Sequence, residues 1–445
     1  MLAAIMNSTE AKNLYRTDYS RLKGELAGHG EAWIHEIREA AIARFGELGF
    51  PSNRDEEWRY TNVKPIATIP FERARYDIEG LAPDAVGRAS LGLLETSQAV
   101  FVNGYYSAEL SSLRGLHQDV KVEGLAAALN EGAEWIESHL ARYASYRDHA
   151  FVALNTALMQ DGASVYVPPG RIVQEPIHLL FISTGGKKAS VSHPRNLIII
   201  GKGSQVTIVE NYAGLEKGNY FTNAVTEIVV GENAVLDHYK LQRESDEAFH
   251  VATLQVCLGR SSNVSSHSIS LGGALVRNDV NVVLDGEGGE CTLNGFYMVS
   301  GEQHVDNHTR IDHVKPHGTS RQLYKGVLDG RSRGVFNGKI YVHKGAEKTD
   351  ARQTNNNLLL SLDALIDTKP QLEIYNNDVK CTHGSTIGQL DQDAIFYLRS
   401  RGIGVESARR LLTYAFASDV IGRIRIDSVR AQLDKLLAAK FQKDS

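Results

Sequence analysis

The chain has 445 residues, a formal net charge of -5 and a hydrophobic fraction of 42%. This length exceeds what one hydrophobic core usually serves, so two or three structural units are expected. The mild acidic balance offers no electrostatic footprint for nucleic acid or for an anionic membrane surface, so both classes of partner are excluded.

The three cysteines, Cys257, Cys291 and Cys381, are far apart and form no CxxC pair. A sparse, odd set of cysteines argues against a disulfide framework and favours a reducing compartment. No stretch approaches the roughly 20 apolar residues that a membrane helix needs, and the N-terminus lacks the pattern of a secretory signal. We therefore expect a cytoplasmic protein, or one in an organelle matrix reached after processing.

Residues 1–160 are predicted to form a mainly helical N-terminal domain. Between Trp33 and Phe45, apolar residues recur at helical spacing and charged residues occupy the other positions. Residues 125–158 also suit helices, because they contain few glycines and no proline. Between these segments, the charged run RDEEWRYTNVKP predicts a loop or a short cap.

From Asp161 onward, short β-prone runs recur, each closed by Gly, Asn or Asp. Many alternate at period two, as in residues 205–209, and GKGSQ and GENAV occupy equivalent places about thirty residues apart. Such strands fit either a sandwich or barrel, or a β-helix. Because no linker interrupts the rhythm and helical segments on both sides could cap open edges, we favour a parallel β-helix over residues 161–395.

Residues 396–445 are predicted to be helical again. Apolar residues from Val405 to Ile421 fall near one stripe, and Arg399, Arg401, Arg409 and Arg410 flank it. These arginines fit either a solvated helix face or a helix that docks a partner with a polar rim.

The densest histidine cluster is HVDNHTRIDHVKPH. In a strand, His304, Asp306 and His308 would share one face, where they could bind zinc or iron. His313 and His317 could join them only after a turn. We favour polar ladder positions satisfied by neighbouring strands, because no fixed metal-ligand spacing is present.

Cys381 and His383 are two residues apart, so in a strand they lie on the same side. A thiolate and an imidazole placed in this way could ligate iron or a cluster, with the remaining ligands supplied by a second chain or a distant segment. The other interpretation is an inert cysteine beside a hydrogen-bonded histidine. Cys257 and Cys291 are predicted to be core residues.

Three long runs carry a family resemblance: LYKGVLDGRSRGVFNGKIYV, QTNNNLLLS and PQLEIYNNDVKCTHGSTIGQLDQDAIFYLRSRGI. They resemble the SufB/SufD family of iron–sulfur cluster assembly proteins. Within that family, the chain length, the RDEEWRYTN segment and the cysteine-free N-terminal region are similar to the SufD type rather than the SufB type.

The resemblance implies a helical N-terminal domain, a central right-handed parallel β-helix and a C-terminal helical domain. It implies a scaffold subunit, not an enzyme, that pairs with SufB through the β-helices. Because the edges of a β-helix tend to pair, we also expect a homodimer in the absence of SufB. The chain would bind the ATPase SufC through the C-terminal helices, and the docking residues carried over are Phe396, Tyr397, Arg399, Arg401, Arg409, Leu412 and Phe416.

In the family, a histidine in the CxHG segment is a proposed iron or cluster ligand at the pairing surface. His383 matches that position and Cys381 matches the neighbouring cysteine. The resemblance implies transient iron or an iron–sulfur cluster in the complex and no tightly bound cofactor in the isolated chain. No cysteine of this chain could be matched to the sulfur-entry cysteine of SufB.

Two alternatives come from other functional classes. A β-helix enzyme acting on carbohydrate would need clustered carboxylates in a groove, for which Asp306 and Asp312 are candidates, and aromatic residues to stack on sugars, which are missing from their sequence neighbourhood. A stand-alone metal-binding module would use His304, His308 and His383.

Overall fold

A computed structural model of the protein describes residues 8–26, 31–78, 81, 83–93, 96–186 and 188–443. The start of the chain, on which the secretory-signal prediction rests in part, lies outside the described residues. No helix in the part that is described combines the length and the apolar character needed to span a membrane.

The N-terminal region contains helices and short strands. They are α1 Ser8–Glu25, α2 Ala32–Leu48, a 3-10 turn Glu56–Trp58, α3 Lys64–Thr68, β1 Glu72–Arg73, α4 Pro83–Ala89, β2 Ser97–Val102, β3 Tyr105–Ser112, β4 Lys121–Gly124, α5 Leu125–Asn130, α6 Glu134–His139 and α7 Ala150–Leu158.

Aromatic side chains hold the N-terminal helices together. The Tyr15 and Phe45 rings lie 5.9 Å apart, and Phe50 contacts Phe151 at 5.7 Å between ring centroids. Phe151 in turn meets Phe221 of the following domain edge to face at 5.9 Å. The buried faces of α1, α2 and α7 therefore rest on the strands that come later in the chain.

The middle of the chain is a succession of strands. They are β5 Ala163–Val167, β6 Ile177–Ser183, β7 Ser190–Ser192, β8 Arg195–Ile200, β9 Gln205–Gly214, β10 Tyr220–Val230, β11 Val235–Arg243, β12 Phe249–Leu258, β13 Asn263–Ser270, β14 Leu275–Leu284, β15 Glu290–Val299, β16 His304–His313, β17 Thr319–Leu328, β18 Arg333–Val342, β19 Asp350–Leu359, β20 Leu365–Ile374 and β21 Lys380–Gly388.

From β8 onward, the even-numbered strands form one sheet (sheet A) and the odd-numbered strands form another (sheet B). Successive strands of each sheet are parallel and in register. One strand from each sheet and the two turns between them make one coil, and about eight coils follow one another. The predicted parallel β-helix is confirmed.

Stacked glycines set the turn at one corner of the solenoid. A Cβ atom at Gly231 would lie 2.7 Å from the backbone nitrogen of Lys202, and one at Gly286 would lie 2.1 Å from that of Arg260. Glycine alone permits this close approach of successive turns. GKGSQ and GENAV occupy equivalent places in consecutive coils, as predicted, since Gln205 pairs with Val235.

The prediction of a mainly helical first domain missed β2, β3 and β4. β2 adds to sheet B beside β6 in parallel fashion, and β4 adds to sheet A beside β5 in antiparallel fashion. All six residues of β2 are buried. These strands, with α5 and α6, cover the first coil, so the solenoid is capped at its N-terminal end.

The interior of the solenoid contains both apolar and polar side chains. Ile208, Leu236 and Val282 belong to the apolar cluster. Glu210 and Lys240, both of which are buried, lie in register on the interior face of sheet B. Polar groups in such a setting need partners, because an unpaired buried charge is strongly destabilising.

The cysteines lie in different environments. Cys291 is buried in the interior cluster, as predicted, and burial raises the pKa of its thiol to about 12. Cys257 is only half-buried on the outer face of β12, so its assignment to the core was wrong; burial still raises its pKa to about 11.

Three helices end the chain, namely α8 Gln392–Ser400, α9 Val405–Ile421 and α10 Asp427–Lys443. The side chain of Asp391 caps α8 by accepting hydrogen bonds from the backbone N–H groups of Asp393 and Ala394. Buried residues of α9 and α10 pack on the outer face of sheet B, where they join Tyr239, Phe296 and Val327 in one cluster.

Candidate functional site

The solenoid ends on an uncovered coil. β20 and β21 are the terminal strands of sheets A and B. Each therefore presents a row of backbone N–H and C=O groups that no further strand of the described chain pairs. β21 is exposed along almost its entire length, in contrast to the buried strands of the inner coils.

His383 and Cys381 lie on this open coil. They share the face of β21 that continues the solenoid interior, because Cys381 is in register with Ala351 and His383 with Gln353, both buried. Cys381 is half-buried and His383 is exposed. The predicted common side of the two residues is what the structure shows.

The chemistry of this pair is incomplete within the chain. Among the described residues, no group of three or more His, Cys, Asp and Glu side chains is arranged to hold a metal ion. Burial raises the pKa of the Cys381 thiol, so an incoming metal would have to displace its proton. An imidazole and a thiol on an open edge can supply two ligands, and any others must come from outside these two strands.

Apolar side chains are also exposed on the last coil, and sequence reasoning did not pick them out. Leu365, Ile374, Tyr375 and Ile387 are each between 39% and 59% exposed on or beside the last two strands. The positions equivalent to Ile374 and Ile387 on the preceding coil, Val342 and Asn357, are buried. The apolar alternation of β20 was visible in the sequence, but nothing in it marked this coil as the last.

The C-terminal helices present a second apolar surface. Phe396 and Tyr397 project from α8 and are 71% and 57% exposed. Val405, Leu411 and Tyr414 of α9 are also exposed. Arg401 lies over the Tyr397 ring at 5.2 Å, and Arg399 is exposed on the same helix. Aromatic residues beside arginines are typical of protein interfaces.

The other residues predicted for docking are turned partly toward the solenoid. Leu412 and Phe416 are half-buried against the cluster on sheet B. The ammonium group of Lys325 lies 4.5 Å from the Phe416 ring centroid and donates to the backbone oxygen of Phe416. Arg409 donates to the backbone oxygen of Leu360 at 3.2 Å. In the chain alone, these three residues hold α9 on the sheet.

Comparison with known proteins gives the family. A family model described as "SUF system FeS cluster assembly, SufBD core domain" matches residues 181–416, and one described as "SufBD protein N-terminal region" matches residues 9–179. The chain belongs to the SufBD family. The resemblance that the sequence motifs carry is thereby confirmed.

Several SufBD relatives cover nearly the full chain. An iron–sulfur cluster assembly SufBD family protein of Synechocystis is 32% identical over 99% of this chain and 100% of its own length. The iron–sulfur cluster assembly protein SufD of Escherichia coli is 33% identical over 86% of this chain and 88% of its own, and SufD of Bacillus subtilis is 27% identical over 96% and 98%.

The RDEEWRYT segment lies in the SufBD N-terminal region and packs on the outer face of sheet A. Trp58 stacks on the guanidinium group of Arg277, 3.9 Å from the ring centroid. Arg277 also donates to the backbone oxygen of Glu57 and to the carboxylate of Asp306, both at 2.7 Å. This segment forms the predicted short cap, and its 3-10 turn covers β14 and β16.

The four clustered histidines do not come together in one group, but His304 and His308 share one face with Asp306, as predicted. His304 and His308 face outward on β16, where His304 contacts the hydroxyl of Thr61 at 2.9 Å. His313 points inward to the hydroxyl of Ser320, and His317 lies exposed in a turn. His304 and His308 are therefore polar ladder positions beside Asp306, whereas His313 lies on the interior face and His317 in a turn.

The two carboxylates that a carbohydrate enzyme was expected to use are both held in ion pairs. A cleft of about 570 Å³ lies between the N-terminal segment and sheet A, with Trp58 on its wall. Asp306 is 1% exposed beneath it and is held by Arg277 and His308. Asp312 is bound by Arg310 and His343. Neither carboxylate is free to attack or protonate a glycosidic bond.

The attachment of the cap should weaken at high pH. Burial and Arg277 would lower the pKa of His308, but Asp306 and Glu57 outweigh them and raise it above its ordinary value. A raised histidine pKa stabilises the folded form below about pH 6.5, and that stabilisation is lost as the pH rises through the higher folded value. The protection of amides 54–61, which is the intrinsic exchange rate divided by the observed rate, should therefore fall as the pH rises through the raised pKa of His308.

The variant His308→Gln tests whether His308 is the group that makes the attachment of the cap depend on pH. The variant should remove the pH dependence of protection in residues 54–61. Glu56→Gln is the matched control, because Glu56 is exposed and pairs with Lys369 instead of a histidine. An undiminished pH dependence of protection in His308→Gln would show that another group controls the cap.

Proposed function

We propose that this chain is a non-enzymatic scaffold subunit of the SUF machine that pairs with a SufB subunit through its open last coil and carries the SufC ATPase on its C-terminal helices. In the complex, its role is to help acquire iron and to contribute one side of a cluster-assembly site at the interface with SufB. In this role it works in the cytoplasm.

The uncovered coil is the observation that carries the proposal. A solenoid needs both ends capped, and here strands and helices cap the first coil while the last one exposes two strand edges and four apolar side chains. Natural proteins rarely leave such edges without a partner. A second β-helix with a similar open end would pair these edges and bury the apolar residues.

His383 and Cys381 give this interface its chemistry. Both are available on the open coil, and an imidazole and a thiolate are suitable ligands for iron or an iron–sulfur cluster. Two ligands from one chain suit transient binding, with the rest supplied across the interface, and no tightly held cofactor is expected in the isolated chain. When SufB is absent, the same open edge would pair two copies of this chain as a homodimer.

ATP-driven closure of SufC would act on the site through α8 and α9. These helices pack on sheet B and are continuous with β21, so a change in their position reaches the open coil directly. Such gating requires two conformations of the complex, and ATP shifts the equilibrium between them because it binds one more tightly than the other.

His383→Ala should abolish or severely reduce cluster formation in a reconstituted complex with SufB and SufC. The variant removes an exposed imidazole from an edge strand, so the fold of the chain should be unaffected. Cluster formation is followed by the visible absorption and circular dichroism of the bound cluster after addition of iron and a sulfur donor.

Thr382→Ala is the matched control, because Thr382 is exposed on the same strand but points to the other face. It should form clusters as the unmodified chain does. Normal cluster formation in His383→Ala would remove His383 from the site and contradict the assembly role of the coil.

Replacing both Phe396 and Tyr397 by alanine should weaken SufC binding. Exposed aromatic residues at the centre of an interface each contribute about 2 kcal/mol, or roughly a 30-fold change in Kd. Removing residues 396–445 would be a poorer test, because it would uncover the apolar face of sheet B. Leu362→Ala is the control, since Leu362 is 89% exposed but lies outside the helices. Equal SufC affinity of all three proteins, measured by calorimetry, would contradict the docking assignment.

A further inference from the structure

A row of polar side chains crosses the solenoid interior and ends at His383. Gln322 of β17, Gln353 of β19 and His383 of β21 are successive in-register residues on the interior face of sheet B. Gln322 donates through Nε2 to the hydroxyl of Thr309 at 2.6 Å, and Gln353 donates through Nε2 to Oε1 of Gln322 at 3.2 Å. Each amide therefore fixes the next one toward the open end.

The Gln353 amide occupies a space that Gly338 leaves open on the opposite sheet. Gln353 is 1% exposed, and a Cβ atom at Gly338 would lie 1.6 Å from its Nε2 atom. Only glycine at position 338 leaves room for this amide, which is consequently confined between two sheets. Its orientation is set before any ligand reaches the coil.

The oxygen of the same amide is left without a partner. Gln353 Oε1 is buried and accepts no hydrogen bond from any described residue. A buried acceptor without a donor costs about 1–3 kcal/mol. On the next strand, the interior-facing neighbour in register with Gln353 is His383, and neighbouring strands lie about 4.8 Å apart.

We propose that Gln353 is the positioning residue for His383: its Oε1 accepts the N–H of one ring nitrogen, which holds the ring in one tautomer and leaves the lone pair of the other nitrogen for iron or a cluster. This inference rests on the proposed assembly role of His383. Partners of this kind set the tautomer of metal-binding histidines, and their loss typically reduces metal affinity or activity by 10–100-fold.

The test is the tautomer of His383 in the full-length chain without partners or metal. Long-range ¹H–¹⁵N spectra of histidine-labelled protein report the protonated ring nitrogen, and the His383 signals are identified by their loss in His383→Ala. We expect one dominant tautomer in the unmodified chain and a mixture in Gln353→Met, which keeps the side-chain length but removes the acceptor. Identical spectra in the two proteins would overturn the inference.

Asn357→Leu is the matched control, because Asn357 is buried on the same face of β19 but is in register with Ile387. It should leave the His383 tautomer unchanged; a mixture there would mean that general loosening of the coil, not Gln353, determines the tautomer. If Gln353→Met does not fold, Gln353→Leu replaces it, because it also removes the acceptor. A mixture of tautomers is expected there as well, and a single tautomer identical to that of the unmodified chain would overturn the inference.

A second readout separates this inference from the proposed function. In the reconstituted complex, Gln353→Met should reduce the rate of cluster formation by about 10–100-fold. If His383→Ala blocks assembly but Gln353→Met leaves both tautomer and assembly unchanged, the assembly role stands and the positioning role is wrong. If the tautomer depends on Gln353 but His383→Ala assembles clusters normally, the proposed function is wrong while the contact is real.

Discussion

Replacing Arg195 by methionine should lower the free energy of unfolding by about 3–5 kcal/mol, because it leaves a buried carboxylate without its counter-charge. Arg195 and Glu227 are both fully buried, and their side chains meet at 2.6 Å. Arg195 also donates to the hydroxyl of Thr156, so it ties α7 to β8 and β10. Chemical denaturation of the full-length chain measures the change.

Glu227 does more than pair with Arg195. Its oxygens accept hydrogen bonds from the backbone N–H groups of Ala141, Tyr143 and Ala144, each at 2.8 Å. The double variant Arg195→Met/Glu227→Leu should therefore remain destabilised, since three backbone donors, one of them buried and two partly buried, lose their acceptor. Recovery to the stability of the unmodified chain would show that the two residues form only an ion pair.

Arg260→Met is the control for this experiment. Arg260 pairs with Glu232 at the surface, and its side chain is 63% exposed. Exposed pairs contribute at most about 1 kcal/mol because water screens them. A loss as large as that of Arg195→Met would contradict the distinction between the buried and the exposed pair.

The solenoid could be predicted from the sequence because its signals are local and repeated. Period-two alternation and turn glycines recur along the solenoid, so the assignment of one coil supports the assignment of the next. β2 escaped prediction for a physical reason: a short run whose residues are all buried shows no alternation, and nothing local distinguishes such a strand from a buried helical segment. Its place in sheet B is decided by β6, far away in the chain.

The candidate site was predictable only in part. The common face of Cys381 and His383 follows from strand geometry alone, but Gln353 is brought beneath His383 by a coil of the solenoid that no local pattern reveals. The same limit applies to α9. Its apolar stripe looked continuous, yet packing on sheet B buries Ala408 and Val420 and leaves Leu411 exposed.

Lys240, a lysine buried in the solenoid interior, should make the free energy of unfolding depend strongly on pH. Lys240 is 6% exposed and donates to Oδ1 of Asn278 at 2.6 Å. Glu210, its neighbour in register, is buried as well and accepts from the hydroxyls of Tyr212 and Thr226. Burial lowers the pKa of Lys240 to about 8, although the charges of Glu210 and Glu244 oppose this.

A lysine pKa that falls on folding makes the protein more stable as the pH rises. Below about pH 8, Lys240 is protonated in the folded and the unfolded chain, and the folded chain carries the full penalty of a buried charge. Between about pH 8 and 10.5 the unfolded chain binds more protons, so the free energy of unfolding increases with pH. The increase should reach about 3 kcal/mol, since each pKa unit corresponds to about 1.4 kcal/mol.

Lys240→Met should remove this increase, because methionine fills similar space without titrating. The free energies of unfolding of the two proteins, compared between pH 7 and 10, should differ by an amount that changes with pH, with the unmodified chain gaining on the variant. Lys202→Met is the control, since Lys202 is an exposed lysine paired with Glu232, and its curve should run parallel to that of the unmodified chain. A parallel curve for Lys240→Met as well would mean that water reaches Lys240 inside the solenoid and keeps its pKa at the ordinary value.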